Sequence, residues 1–136
     1  MNISNDQVQG RVPVSILRLT GDLDAISYRD LIAAARAAHA AGARQLLIDM
    51  RATLFMGSSG LVALHSIALL FAGQPPPESE AGWRALHAVG EVAEGGQQHV
   101  VKLLGPSPQV ERVLDKSGLK QFFEIYVEQQ PAVDSF

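Results

Sequence analysis

Apolar and polar residues follow two alternating spacings along this chain, and each spacing predicts one kind of element. Short runs of aliphatic and β-branched residues predict strands, at residues 8–11 (the weakest), 12–19, 45–50, 100–104 and 122–127. Apolar residues at helical spacing predict helices, at residues 25–41, 59–71 and 106–117. This order predicts an α/β fold, with a mixed, mostly parallel sheet of four to five strands and packed helices.

One segment, residues 73–98, departs from this alternation. It contains three consecutive prolines and several acids, so its ends are predicted as loops, whereas residues 81–93 are compatible with a short helix. Two interpretations stay open: a surface excursion whose Trp83 covers the edge of the core, or a partner-binding element anchored on an exposed Trp83. We expect one domain, residues 1–136, with an inserted loop or short helix at about 73–98.

The composition fits one soluble globular domain and gives no sign of nucleic-acid binding. Of the 136 residues, 47% are hydrophobic and 18% are charged, which suits a single core. The formal net charge of −3 shows no excess of the basic residues that bind phosphate backbones, so no direct nucleic-acid partner is expected. The chain has no cysteine, which excludes disulfides, cysteine-ligated zinc and a thiol nucleophile.

Neither a signal peptide nor a membrane span is predicted. Residues 1–11 lack the cationic start and apolar stretch of a secretory signal. The most apolar run, residues 61–72, is too short to cross a bilayer. We therefore expect a cytoplasmic protein without membrane insertion.

The most informative local feature is a glycine-flanked pair of hydroxyl residues, Gly57-Ser58-Ser59-Gly60, between a predicted strand and a predicted helix. Such a turn leaves the serines on the surface, where the helix N-terminus favours anions. One interpretation is structural: Ser58 or Ser59 caps the helix, which is worth about 1 kcal/mol, and the glycines serve the turn. The other gives this turn a functional role, and the residues alone leave both open.

The cluster matches none of the common catalytic or nucleotide-binding motifs. No Lys follows it at P-loop spacing, and Leu61 stands where the GxSxG nucleophile elbow needs its second glycine. His65, about two helical turns beyond the serines, is too far to act as their base. The histidines form no metal-binding pair, at residues 39, 65, 87 and 99. No catalytic residue, metal or cofactor is therefore expected, and the chain is not predicted to be an enzyme.

Four motifs in order give the chain a resemblance to the STAS domain family, which is named for sulfate transporters and anti-sigma factor antagonists. They are GDLD after a strand, LLID in the next strand, FMGSSGL at the start of a helix, and a later strand, helix and GLxxFF pattern, at residues 21–24, 46–49, 55–61 and 101–123. The resemblance covers most of residues 8–128 outside the segment 73–98. It implies a single STAS-type domain.

In bacterial anti-sigma factor antagonists of this family, the first Ser of a D-S-S/T-G motif is phosphorylated by a partner anti-sigma factor with serine kinase activity. The unphosphorylated protein binds that kinase and releases a sigma factor, which regulates transcription. The resemblance implies phosphorylation here at Ser58. It also implies a partner-binding surface, formed by Asp22, Asp24, Gly57, Ser58, Ser59 and Gly60. Gly57 stands where most of these antagonists have Asp.

The resemblance leaves an alternative function open. Some members of the family are never phosphorylated and act as scaffolds or as interaction modules associated with transporters. A homodimer is compatible with either function.

Overall fold

A computed structural model describes residues 1–73 and 98–136, and in these residues the chain folds into one sheet packed by helices on both faces. The sheet has five strands: β1 (Asn2–Gln9), β2 (Pro13–Thr20), β3 (Leu46–Ala52), β4 (Val101–Leu104) and β5 (Glu124–Tyr126). The helices of the described residues are α1 (Tyr28–Ala40), α2 (Ser58–Phe71), α3 (Pro108–Ser117), α4 (Leu119–Phe122) and α5 (Gln129–Asp134). The predicted excursion at 73–98, with Trp83, lies almost entirely outside the described residues.

The sheet is mixed and mostly parallel, as the order of elements predicts. Its strands lie in the order β1-β2-β3-β4-β5; β1 runs antiparallel to β2, and the other neighbouring pairs are parallel. Because β2 to β5 point the same way, the loops that follow them meet at one edge, called here the carboxyl edge. These loops begin after Thr20, Ala52, Leu104 and Tyr126.

The main core lies between one face of the sheet and helices α1 to α4. Leu17, Ile48 and Leu103 occupy neighbouring positions on three strands and pack in the same cluster as Leu31 and Leu64 of the helices. Nine of the 14 residues of α2 are buried, so this helix is apolar on nearly all sides rather than amphipathic. Even so, no helix in residues 1–73 and 98–136 is long and apolar enough to cross a membrane.

The carboxy-terminal part differs from its predicted layout. A strand is predicted at 122–127, but Phe122 ends helix α4 and β5 begins only at Glu124. Phe122 and Phe123 are both buried, so these consecutive apolar residues mark the end of a helix entering the core rather than an alternating strand. The weak strand predicted at 8–11 lies earlier and is longer, as β1, because an exposed edge strand needs few apolar residues.

Helix α5, which the apolar pattern does not predict, packs on the second face of the sheet through Ala132 and Val133, and a buried lysine binds the residue after it. Lys102 of β4 is 2% exposed, and its Nζ donates to the backbone oxygen and the hydroxyl of Ser135 at 3.0 and 2.9 Å. Nζ also lies 3.1 Å from Glu124 Oε2 and 4.4 Å from the ring centroid of Phe136. These contacts supply the partners that a buried ammonium requires, and they hold the last residues against the sheet.

Candidate functional site

Two loops at the carboxyl edge are joined through their backbones. Leu23, in the loop after β2, donates its N–H to Phe55 O at 3.0 Å, and its carbonyl accepts from the N–H of Gly57 at 2.9 Å. These bonds flank an isolated parallel bridge between Leu23 and Met56, whose side chains are fully buried. This Leu23–Met56 junction brings together the two turns that the sequence predicts to bind a partner.

The first turn of α3 fixes the second loop in place. The side-chain amide of Gln109 accepts from the N–H of Met56 at 2.8 Å and donates to its carbonyl at 3.1 Å. Next to it, the Ser107 hydroxyl donates to Leu54 O at 3.2 Å and accepts from the N–H of Val110, which caps α3. Sequence reasoning does not find Gln109, because its partner lies 53 positions away and no local motif marks the pair.

Gly60 allows α2 to approach the junction closely. A Cβ at residue 60 would lie 2.4 Å from Met56 Cγ and 3.1 Å from Leu23 Cδ2, so a side chain there overlaps both halves of the junction. The backbone conformation does not require glycine, since the φ angle of Gly60 is not positive. Packing therefore explains why residue 60 is glycine: a larger residue would push α2 away from Leu23 and Met56.

Neither serine caps helix α2, so the interpretation of Ser58 or Ser59 as the cap is wrong, whereas Gly60 does serve close packing. The N-cap is Gly57, in an extended conformation (φ −93°, ψ −177°), and no side chain caps the helix. Ser58 is instead the first residue of α2 and is exposed, while Ser59 is half-buried. The Ser58 hydroxyl has no hydrogen-bond partner within the described residues, and it lies at the positive end of the helix dipole. A modifying enzyme could reach it without unfolding the turn.

The loop after β2 is organised by Asp24 and Ser27. Asp24 Oδ1 accepts from the N–H groups of Ile26 at 2.9 Å and Ser27 at 3.1 Å, and these hydrogen bonds hold the pKa of Asp24 below its usual value. The buried Ser27 hydroxyl donates to Asp22 O at 2.7 Å. Asp24 therefore shapes the turn, whereas the Asp22 side chain is exposed. Sequence reasoning missed Ser27, although a Ser directly before a helix is a typical start signal.

Large apolar side chains are exposed on the same two loops. Ile26 is 89% exposed, Leu54 is 74% exposed and Phe55 is 46% exposed. We call these three residues the edge patch. Apolar residues next to exposed polar groups, here Asp22 and Ser58, are the composition of a protein-binding surface. The sequence predicts the polar residues of this surface but not the edge patch, because exposure of an apolar residue depends on what the fold leaves uncovered.

Clusters of metal-binding residues and the hydrogen bonds of His65 bear on catalysis in the part of the chain that the structure describes. No group of three or more His, Asp or Glu residues that could hold a metal ion occurs within the described ranges. The imidazole of His65 is buried, and neither of its nitrogens has a hydrogen-bond partner among the described residues. His65 is thus not hydrogen-bonded to either serine. The described geometry thus presents an exposed hydroxyl at the start of α2, and the edge patch is exposed on the joined loops.

The fold and this surface define the class of protein. A STAS domain model matches residues 5–72, half of the chain and the part that contains both loops of the junction. The chain belongs to the STAS domain family. No curated protein matches its sequence.

The solved structures that share this fold include anti-sigma factor antagonists. A candidate antagonist from Thermotoga maritima is 17% identical, with a TM-score of 0.69 over 96% of this chain and 90% of that one. An anti-sigma factor antagonist from Mycobacterium paratuberculosis is 21% identical, with a TM-score of 0.62 over 96% and 91%. The Bacillus cell fate determinant SpoIIAA, in its phosphorylated form, is 21% identical, with a TM-score of 0.55 over 98% and 97%. At these identities the likeness establishes the fold.

Proposed function

We propose that this protein is an anti-sigma factor antagonist-like regulator that binds an anti-sigma factor with serine kinase activity at the carboxyl edge. In this proposal the kinase phosphorylates Ser58, and the protein acts in the bacterial cytoplasm to regulate transcription. One observation carries the proposal: the Leu23–Met56 junction places an exposed serine at the start of α2 beside the Asp22 and Asp24 turn. Structural relatives that are named as antagonists, one of them phosphorylated, support it.

A phosphate on Ser58 would change the charge of this surface without moving the backbone. It adds about −1.5 to −2 charges at neutral pH. The N-terminus of α2 favours that charge, whereas the carboxylate of Asp22 opposes it. Gly57 contributes no acid and no capping side chain, so among the described residues a phosphate has no capping side chain to displace from the first helical turn. Gly57 in place of the family's Asp thus lowers the electrostatic repulsion that a phosphate on Ser58 would meet.

The edge patch explains how phosphorylation would control binding. In the unmodified protein a partner can bury Ile26, Leu54 and Phe55 together with a neutral Ser58 hydroxyl. After phosphorylation the same interface would have to desolvate a dianion beside apolar groups, which is costly unless the partner supplies a matching cation. One surface therefore has a binding and a non-binding form, which is what a partner-switching regulator requires.

The experiment is a kinase and binding assay with an anti-sigma factor kinase from the same genome. With ATP, we expect phosphate on Ser58 by mass spectrometry, its loss in Ser58→Ala, and its retention in the neighbouring variant Ser59→Ala. We expect Ser58→Glu to weaken binding of the kinase at least about tenfold, which corresponds to 1.4 kcal/mol. Label at Ser59 alone, or no complex with any such kinase, would contradict the proposal.

A pair of matched variants tests the edge patch as the docking surface. Leu54 and Val127 are both exposed apolar residues at the carboxyl edge, at 74% and 81%, but Val127 follows β5, two strands away from the loop of Leu54. We expect Leu54→Asp to abolish binding and Val127→Asp to leave it within about twofold, as rim positions do. Equal losses in both variants would place the partner elsewhere on the edge.

Gly57 also favours a second function, that of a non-phosphorylated scaffold or transporter-associated interaction module. The acid that accompanies the phosphorylated serine in the family pattern is missing here, although a Cβ at residue 57 would meet no described atom closer than Phe55, at 3.8 Å. If Gly57→Asp creates phosphorylation that the native chain lacks, and Ser58→Glu leaves partner binding unchanged, the scaffold function is correct. If the native chain is phosphorylated, the non-phosphorylated scaffold function is excluded.

A further inference from the structure

Strand β1 has an open outer edge at the end of the sheet. It runs for eight residues, Asn2–Gln9, and pairs with β2 on one side only. Within residues 1–73 and 98–136 no strand pairs with its other side, and six of its eight residues are exposed. Each open edge presents N–H and C=O groups that can continue the sheet into another chain.

This edge carries few of the features with which sheet edges avoid pairing. It contains neither lysine nor proline, and its single charged residue, Asp6, forms an ion pair with Arg18 at 2.8 Å. The opposite edge of the sheet differs: β5 has only three residues, and Glu124 is one of them. A long, nearly uncharged edge is therefore found on β1 and not on β5.

We propose that β1 is a self-association surface, on which the β1 strand of a second copy pairs antiparallel and joins two sheets into one. An antiparallel pair of identical strands has its two-fold axis perpendicular to the sheet, so the helical layers of both copies lie on the same side. Facing residues then belong to the same face of the sheet, and one residue lies opposite its own copy on the axis. The proposal concerns a surface apart from the carboxyl edge and does not depend on the proposed function.

Charge and length together select the register. An axis through Asp6 would place two carboxylates directly opposite each other, which destabilises a strand pair. An axis through Asn5 pairs residues 2–8 of both copies, and it places Asp6 opposite Ser4 of the second copy. An axis through Ser4 would pair only residues 2–6. The register centred on Asn5 therefore makes the longest ladder without opposed charges.

The dimer that this register makes is a weak one. A ladder over residues 2–8 buries less than the roughly 800 Å² per partner of a standard interface. Association should therefore be visible at high protein concentration and reversible on dilution. In the unmodified chain, sedimentation equilibrium should show a monomer–dimer equilibrium, and Asn5→Lys should shift it to monomer because like charges then meet at the axis.

The absence of cysteine makes the register directly testable, since an introduced cysteine is the only one in the chain. In the proposed dimer the two Asn5 Cα atoms lie about 4.5–5.5 Å apart, within the range of a disulfide. In Asn5→Cys, oxidised glutathione would take two electrons and two protons from the paired thiols, leaving one intermolecular disulfide and two reduced glutathiones. The matched control is Gln7→Cys, exposed on the same face, whose two copies lie about 13 Å apart along the ladder.

We expect the disulfide-linked fraction of Asn5→Cys on non-reducing gels to exceed that of Gln7→Cys by at least about fivefold, because only one pair meets the geometric range. Circular dichroism of both variants checks that the fold is retained. Equal cross-linking of the two variants would indicate random collision, and a monomeric native chain at millimolar concentration would also overturn the proposal. Either failure leaves the Ser58 assay unaffected, so the two proposals are tested separately.

Discussion

At the scale of single residues, the lack of a side chain at Gly60 permits the contact between α2 and the two joined loops. We expect Gly60→Ala to lower the free energy of unfolding by about 1–3 kcal/mol, because its methyl group would overlap Met56 and Leu23. Alanine otherwise favours a helix over glycine by about 1 kcal/mol, so a net loss isolates the overlap. Urea denaturation followed by circular dichroism measures the change.

The control for this substitution is Ser59→Ala, in the same helical turn, which should change the stability by less than about 0.5 kcal/mol. A Gly60→Ala variant as stable as the native chain would mean that Met56 moves aside at little cost. In that case the junction would be softer than its buried side chains indicate.

At the scale of elements, α3 acts on the candidate site through a single side chain. Gln109→Leu keeps the approximate size of the side chain but removes both hydrogen bonds to the backbone of Met56. We expect a loss of about 1–3 kcal/mol of stability, the cost of leaving buried polar groups without partners. Hydrogen exchange should also accelerate at the amide of Met56, whose N–H then has no acceptor.

The exposed residue Arg112 on the same helix provides the comparison, as Arg112→Ala should leave both quantities nearly unchanged. Faster exchange throughout α2 and β3 in Gln109→Leu would instead indicate general unfolding, and would contradict a local effect at the loop.

The elements themselves were predictable where local patterns decide them. Strands β2, β3 and β4 and helices α1, α2 and α3 follow from apolar spacing, since each is buried on at least one side. The pattern gives no signal for α5, which has six residues and packs through Ala132 and Val133 against strands that are distant in the sequence. The predicted N-cap of α2, Ser58 or Ser59, is wrong for a related reason: the actual N-cap, Gly57, has no side chain by which a cap could be recognised.

For the candidate site, sequence reasoning finds the residues but not their arrangement. The Gly57–Gly60 turn and the Asp22 turn are local motifs, and the motif resemblance adds the hypothesis that a partner binds there. The two turns are adjacent because β2 pairs with β3. The hydrogen bonds of Gln109 to the Met56 backbone form because α3 packs beside the second turn. Such long-range relations leave no periodic signal in the sequence, and the exposure of Leu54 is a property of the fold.

At the scale of the whole molecule, stability should depend on pH through His65. Burial lowers the pKa of this imidazole below its ordinary value of 6.5, and within residues 1–73 and 98–136 neither ring nitrogen has a hydrogen-bond partner to compensate. The unfolded chain therefore binds a proton that the folded chain excludes. The full contribution of His65 to stability is present above pH 6.5, and it is lost progressively as the pH falls below that value.

The measurement is the free energy of unfolding between pH 7.5 and 5.5 for the native chain and for His65→Leu. We expect the native chain to lose stability with falling pH more steeply than the variant, since only it carries the buried imidazole. The buried carboxyl of Asp49 does not obscure the comparison: burial raises its pKa, but hydrogen bonds from Arg51 and Arg18 outweigh this and hold it below 3.8. Parallel curves would show that His65 is protonated without cost.

The Leu23–Met56 junction determines which forms of the chain a partner can bind. The two turns it joins are distant in the sequence and become neighbours only after β2 and β3 have paired. A partner that contacts both turns therefore selects intact copies, and its binding energy adds to the stability of the native state. A nascent, cleaved or misfolded chain still carries the serine motif, yet it lacks the composite surface. The amount of bound partner would therefore report the concentration of fully folded chains.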